Sequence, residues 1–145
     1  MEIEEYIRSS KSIALDTNIF IYAFNQKGSK GKTAKVILEK IKTQGPRVYI
    51  SVLAFEEFLI RIYKQKLEKV IDYYEDFLTA GGLITVVDIN REISRKAAFL
   101  RAKYKTLRAP DAFHLASALE SKASIFITAD RRIPKRVEGL IVKSF

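Results

Sequence analysis

SIALDTNIFIYAF (residues 12–24) carries two apolar runs separated by a short polar break. Ile13, Ala14 and Leu15 read as a buried strand, and Asn18 to about Phe24 reads as a helix. The break holds Asp16, Thr17 and Asn18. A carboxylate between two buried runs is costly unless something pairs with it. What Asp16 holds is therefore the question that the rest of the chain must answer.

Outward from this stretch the chain alternates short apolar strands with amphipathic helices. Gln26–Lys32 reads as a polar loop. Ala34, Ile37, Leu38 and Ile41 then lie on one helical face, and Gly45-Pro46 ends that helix. Val48–Ile50 reads as a strand, and Ser51 as the N-cap of a helix reaching about Tyr63. Leu67, Val70, Ile71, Tyr74, Phe77 and Leu78 form the stripe of another helix, closed by Gly81-Gly82. Leu83–Val87 is a strand, and Asn90 caps a helix carrying Ile93, Ala97, Leu100 and Tyr104. Pro110 suits the first turn of the next helix. Its Ala109, Ala112 and Ala116 offer a small face for close packing on a sheet. Ile125–Thr128 is a strand, and Leu140–Val142 is one more.

Strands separated by helices predict an α/β fold, a mainly parallel sheet covered on both faces. In such sheets a ligand site lies beyond the carboxyl ends of the strands. Asp16 follows the strand Ile13–Leu15, and Asp130 follows Ile125–Thr128. Both acids are expected at the same rim. Glu57, in the helix after Ile50, and Asp111, in the first turn of the Ala-rich helix, complete a set of four.

Each acid also has an ordinary explanation. Asp16 would cap a helix, and Glu57 would pair with Arg61. Asp111 would face the positive end of its helix, and Asp130 would belong to the turn Thr128-Ala129-Asp130-Arg131. Converging on one rim, however, they would repel one another and require a cation. An oxygen donor set, with no cysteine and one histidine in the chain, favours a hard ion such as Mg²⁺ or Mn²⁺.

Composition narrows the function further. With 145 residues, 48% of them hydrophobic, the chain is long enough for one packed domain spanning 1–145. The absence of cysteine excludes disulfides and thiolate metal sites. No apolar run nears the ~18 residues that a membrane span needs. Met1–Ser10 holds three glutamates and no apolar centre, unlike a secretory leader. A soluble, cytoplasmic protein is expected. The net charge of +9 favours polyanions, nucleic acid first. A basic surface around an acidic, metal-holding cleft is a workable design for cutting a phosphodiester.

At this point LDTNIFIYAF (15–24), ISVLAFEEFL (50–59), LRAPDAFHLASAL (107–119) and FITAD (126–130) resemble the successive motifs of PIN-domain ribonucleases, nearest to VapC-type toxins of toxin–antitoxin pairs. The resemblance implies a three-layer α/β/α fold, Mg²⁺- or Mn²⁺-dependent endoribonuclease activity, an antitoxin partner and a homodimer. It implies Asp16 and Asp111 as the metal-binding acids. Glu57, rather than its neighbour Glu56, matches the acid of the second motif, and Asp130 matches the fourth. Asn18 and Thr128 fall at supporting positions. A stand-alone PIN nuclease of RNA processing and a non-catalytic basic RNA-binding module are the alternatives.

Other signals fit less well. Gly31-Lys32-Thr33 is the tail of a P-loop signature, but Gln26 stands where its first glycine belongs. LDTN lacks the second acid of a D-x-D phosphatase. His114, three residues after Asp111, reads as a core or interface histidine. Tyr73, Tyr74 and Phe77 read as core or dimer interface rather than a base-stacking platform. Arg131, Arg132, Lys135 and Arg136 follow Asp130 and are the expected RNA contacts, with Arg108 a weaker candidate.

Overall fold

The computed structural model describes residues 2–25, 27–72, 75–76 and 83–145. Helix α1 (Ile3–Ser9) leads into strand β1 (Ser12–Leu15), helix α2 (Thr17–Asn25) and helix α3 (Gly28–Gln44). Strand β2 (Arg47–Ser51) and helix α4 (Val52–Lys64) follow, then a 3₁₀ turn at Glu68–Val70 and strand β3 (Ile84–Val87). Helices α5 (Arg91–Lys103) and α6 (Ala109–Glu120) precede strands β4 (Ile125–Thr128), β5 (Arg136–Val137) and β6 (Leu140–Ser144).

The strands form one sheet in the order β3-β2-β1-β4-β6-β5. All neighbours are parallel except β5, which pairs antiparallel with β6. The pleat sends successive side chains to opposite faces. Ile13, Leu15, Ile125 and Ile127 therefore join one core with residues of α1 to α4. Ala14 and Phe126 join a second core with Ala97 and Leu100 of α5 and Ala112, Leu115 and Ala116 of α6. The result is the expected three-layer α/β/α arrangement. Its central strand β1 lies between β2 and β4 and pairs with both.

The local stops act as the sequence suggests. Gly45 closes α3 in the left-handed region at φ 72°, where a side chain would be strained. The side chains of Ser51 and Asn90 accept from the backbone N–H of Ala54 and Ile93, capping α4 and α5.

Four points correct or complete these expectations. The stretch expected as a loop from Gln26 to Lys32 is helical from Gly28 onward, with Gln26 outside the described residues. Gly31 is buried in line with Ala34, Ile37 and Ile41, but a glycine has no side chain to announce that face. The α1 helix was not anticipated; it is short and held by the fully buried Ile7. Of the expected helix through Leu67 and Leu78, the 3₁₀ turn and the buried Ile71 are described. Tyr73, Tyr74, Phe77, Leu78, Gly81 and Gly82 lie outside the described residues. The β5–β6 hairpin was also missed: its two-residue turn places Glu138 (φ 48°) and Gly139 (φ 85°) in the left-handed region.

Candidate active site

The parallel register fixes the rim. Asp16 N–H donates to the Ile127 carbonyl at 3.0 Å, continuing the β1–β4 ladder one residue past the strand. The Asp16 side chain thus emerges beside the end of β4. Its Oδ1 accepts the Thr17 N–H at 2.7 Å, and its Oδ2 accepts the Thr128 hydroxyl at 2.7 Å. The Asn18 amide also donates to Oδ2, at 3.2 Å.

Asn18 and Thr128 tie the two strand ends together. Asn18 Oδ1 accepts the Ala129 N–H at 3.0 Å, and Thr128 Oγ1 accepts the Asp130 N–H at 3.0 Å. These bonds set the rotamer of Asp16 and the course of the chain into Asp130.

Asp111 sits at N3 of α6, where its Oδ2 accepts the Arg108 N–H at 3.0 Å and Arg108 Nε at 3.3 Å. The ordinary explanation therefore holds for it as well: Asp111 caps its helix, and its buried side chain still lines the cleft. Glu57 arrives from α4. Its Oε1 is buried without a hydrogen-bond partner among the described residues. The expected Glu57–Arg61 surface pair is not what it makes; Oε1 instead lies 3.3 Å from His114 Nε2.

Asp130 differs from the other three. Arg132 grips it with two parallel bonds, Nε to Oδ1 at 2.9 Å and Nη2 to Oδ2 at 2.7 Å, and the Arg132 N–H adds a third at 2.9 Å. Arg108 Nη2 approaches Oδ2 at 3.7 Å, bridging Asp111 and Asp130. These hydrogen bonds from Arg132 hold the Asp130 carboxyl below the usual carboxylate range. Asp16 goes the other way. Burial pushes its pKa up and the charge of Asp111 adds to the rise, against the opposing effects of His114, Thr128 and Thr17.

The four acids line one cleft of about 220 Å³, together with Thr17, Asn18, Arg108 and His114. Among the described residues no three acid or histidine side chains converge as a ready-made metal cage. The donor chemistry nevertheless fits a hard cation. The ligands on offer are carboxylate oxygens, one of them lacks a partner, and the buried Asp16 is short of compensating charge. Asp130 is the poorest donor of the four, since Arg132 already occupies both of its oxygens.

His114 was read as a core or interface histidine. It is buried, but its neighbours are polar: Ser51 Oγ at 2.6 Å from Nδ1, with Thr17, Glu57 and Asp16 around Nε2. The signal available was its place one turn after Asp111 on the same side of α6. Among the basic residues, Arg132 and Arg108 touch the site acids. Arg131, Lys135 and Arg136 are exposed and do not line the cleft. Lys135 instead lines a larger hollow beside α1, α3 and the end of β6.

The PIN-domain family model matches residues 13–139. Among solved structures, the chain is similar to a toxin–antitoxin complex from Klebsiella pneumoniae, at 25% identity over 89% of this chain and 95% of that one, with a TM-score of 0.70. VapBC2 from Rickettsia felis bound to a DNA fragment from their promoter matches at 20% identity, 92% and 98% coverage and a TM-score of 0.67. DNA-bound VapBC from Salmonella typhimurium matches at 19%, 92% and 97%, with a TM-score of 0.68. No curated protein sequence matches the chain.

Proposed function

The chain belongs to the PIN-domain family, and from that premise we propose that it is a metal-dependent endoribonuclease, the toxin of a toxin–antitoxin pair. The observation that carries the reading is the buried, under-compensated Asp16 sharing one cleft with Asp111 and the unpartnered Glu57 Oε1. Asp16 and Asp111 are the residues that would hold Mg²⁺ or Mn²⁺. When bound, such an ion offsets charge building on the phosphate and makes its water a stronger nucleophile.

The chain's own groups supply the rest. Asn18, Thr17 and Thr128 fix the Asp16 carboxylate so that it does not reorganise during the reaction. Glu57 directs its free oxygen at the attacking water and takes its proton. Asp130 holds Arg132 in place, and Arg132 and Arg108 engage the phosphates at the cleft's mouth. Arg131, Lys135 and Arg136 extend that basic surface along the RNA. The net charge of +9 supports a polyanionic substrate.

The Klebsiella pneumoniae neighbour, a toxin–antitoxin complex aligned over 95% of its chain, supports an antitoxin partner. In this reading the protein acts in the cytoplasm as a homodimer. Exposed Ile60, Tyr63 and Leu67, on and just after α4, are apolar surface that a second copy would cover. No described helix is long and apolar enough to cross a membrane.

The test is cleavage of RNA by the parent with Mg²⁺, by the parent with EDTA, and by Asp16→Asn with Mg²⁺. The chelator should stop the parent, and the variant should lose roughly 10²–10³-fold, the scale of removing one group that stabilises transition-state charge. Parental rates in EDTA refute the metal dependence, and parental rates in the variant refute the role given to Asp16. Expression of the chain alone should halt growth, with rescue by an adjacent antitoxin reading frame. Unimpaired growth with active enzyme would leave a stand-alone processing nuclease.

A further inference from the structure

We propose that His114 is a positioning residue whose Nε2 edge keeps Glu57 and Asp16 facing a common point and so sets the affinity of the cleft for its cation. The inference rests on the nuclease reading and concerns how the acids of that site are arranged.

The tautomer we assign to the ring starts from Ser51. Its Oγ already accepts the Ala54 N–H at 3.0 Å as the cap of α4. The hydroxyl proton is then free to donate to His114 Nδ1, 2.6 Å away. With Nδ1 accepting, the ring proton belongs on Nε2. That atom faces Glu57 Oε1 at 3.3 Å, Thr17 Oγ1 at 3.5 Å and Asp16 Oδ1 at 3.8 Å. The histidine thus places one N–H between carboxylates from two different elements, α4 and the end of β1.

The placement has two physical consequences. The ring keeps Glu57 Oε1 inside the cleft without satisfying it in a hydrogen bond, so the oxygen remains available. It also couples the cap of α4 to the position of the acid that α4 carries: Ser51 begins the helix and Glu57 rides on it. A histidine serving packing alone would be satisfied by Ser51 and would have no reason to sit against two acids.

Two substitutions separate the ring nitrogens. Glutamine places an amide near Nε2, and asparagine places one near Nδ1. The first readout is binding of Mg²⁺ alone, and of Mn²⁺ alone, to the purified full-length protein by calorimetry without RNA. His114→Asn should weaken ion binding about tenfold to hundredfold, the usual effect of losing a group that orients a metal ligand. His114→Gln should stay within roughly threefold of the parent, on the same scale. With RNA, kcat should fall for His114→Asn while KM stays put.

Metal-free melting curves of both variants report folding separately. Ion binding by His114→Asn as tight as the parent's overturns the positioning role, whatever its melting temperature. A His114→Gln variant as weak as His114→Asn overturns the Nε2 assignment and with it the proposal. A parent that binds neither ion refutes the nuclease reading itself, so the two failures are told apart.

Discussion

Asp16 and Glu138 are both carboxylates held by several donors, and the fold treats them oppositely. Glu138 lies exposed in the β5–β6 turn, where its Oε1 accepts from Lys103 Nζ at 2.6 Å and from the Tyr104 hydroxyl at 3.0 Å. Its pKa is lowered by those bonds. Asp16 accepts from Thr17, Asn18 and Thr128, all of them neutral donors, and its pKa is raised by burial. An acid that the protein itself neutralises is there to hold the fold. A buried acid supplied with geometry but little positive charge leaves that charge to come from elsewhere.

This contrast breaks most visibly at Glu57. Its Oε1 makes no hydrogen bond that the fold would lose, so Glu57→Gln should leave the melting temperature near the parent's while kcat falls about 10²–10⁴-fold, the range of a lost general base. Equal loss of stability and activity would place Glu57 with Glu138, as a fold-holding acid. Metal removal sharpens the same point. Saturating Mg²⁺ at ~100-fold above its Kd should stabilise the parent by about 2.7 kcal/mol, read as a rise of several degrees in melting temperature. Asp16→Asn should abolish that rise, and Glu138→Gln should keep all of it.

Asn18 tests the geometry on the Asp16 side. Asn18→Ala removes the acceptor of the Ala129 N–H and one donor to Asp16. An unsatisfied buried amide costs about 1–3 kcal/mol, so urea unfolding of the variant should show a loss of that size with an unchanged m-value. A variant as stable as the parent would mean that Thr128 alone joins the two strand ends.

The same contrast explains what the sequence could and could not disclose. The strand Ile13–Leu15 and the acid after it were legible because burial on both faces of a parallel strand leaves a continuous apolar run. Ser51, Asn90 and Pro110 were legible because caps and first-turn prolines act over three or four residues. Asp16 and Asp130 at one rim followed from parallel topology alone. The helical start at Gly28 was hidden because Gly31, the first buried residue of that face, carries no hydrophobic signal. Arg132 was expected to contact RNA, yet its grip on Asp130 is a matter of rotamers. The environment of His114 depends on Ser51 from a distant part of the chain, a pairing that no local period encodes. Local chemistry marked the acids, and only the fold shows which of them is already neutralised.

The smallest effect lies at the other pole of the comparison. Glu138 has a folded pKa below its ordinary value of 4.5, so its contribution is fully present above that pH and is lost as pH falls through the lower folded value. Lys103 is the mirror case. Its pKa is raised above 10.5 by Glu138, so its contribution is full below that value and is lost as pH rises through the folded one. The pair therefore supports the hairpin between these limits and at neither extreme. Both partners are solvent-exposed and screened, so Glu138→Gln should lower the melting temperature only slightly at pH 7. The gap between variant and parent should narrow as pH falls below 4.5 and close at a pH low enough to protonate the carboxyl in the folded state. A gap that persists at that pH would show that the Tyr104 hydroxyl, rather than the charge of Lys103, is what Glu138 holds. The turn acid would then resemble Asp16 in depending on a neutral donor, and the division between the two carboxylates would rest on burial alone.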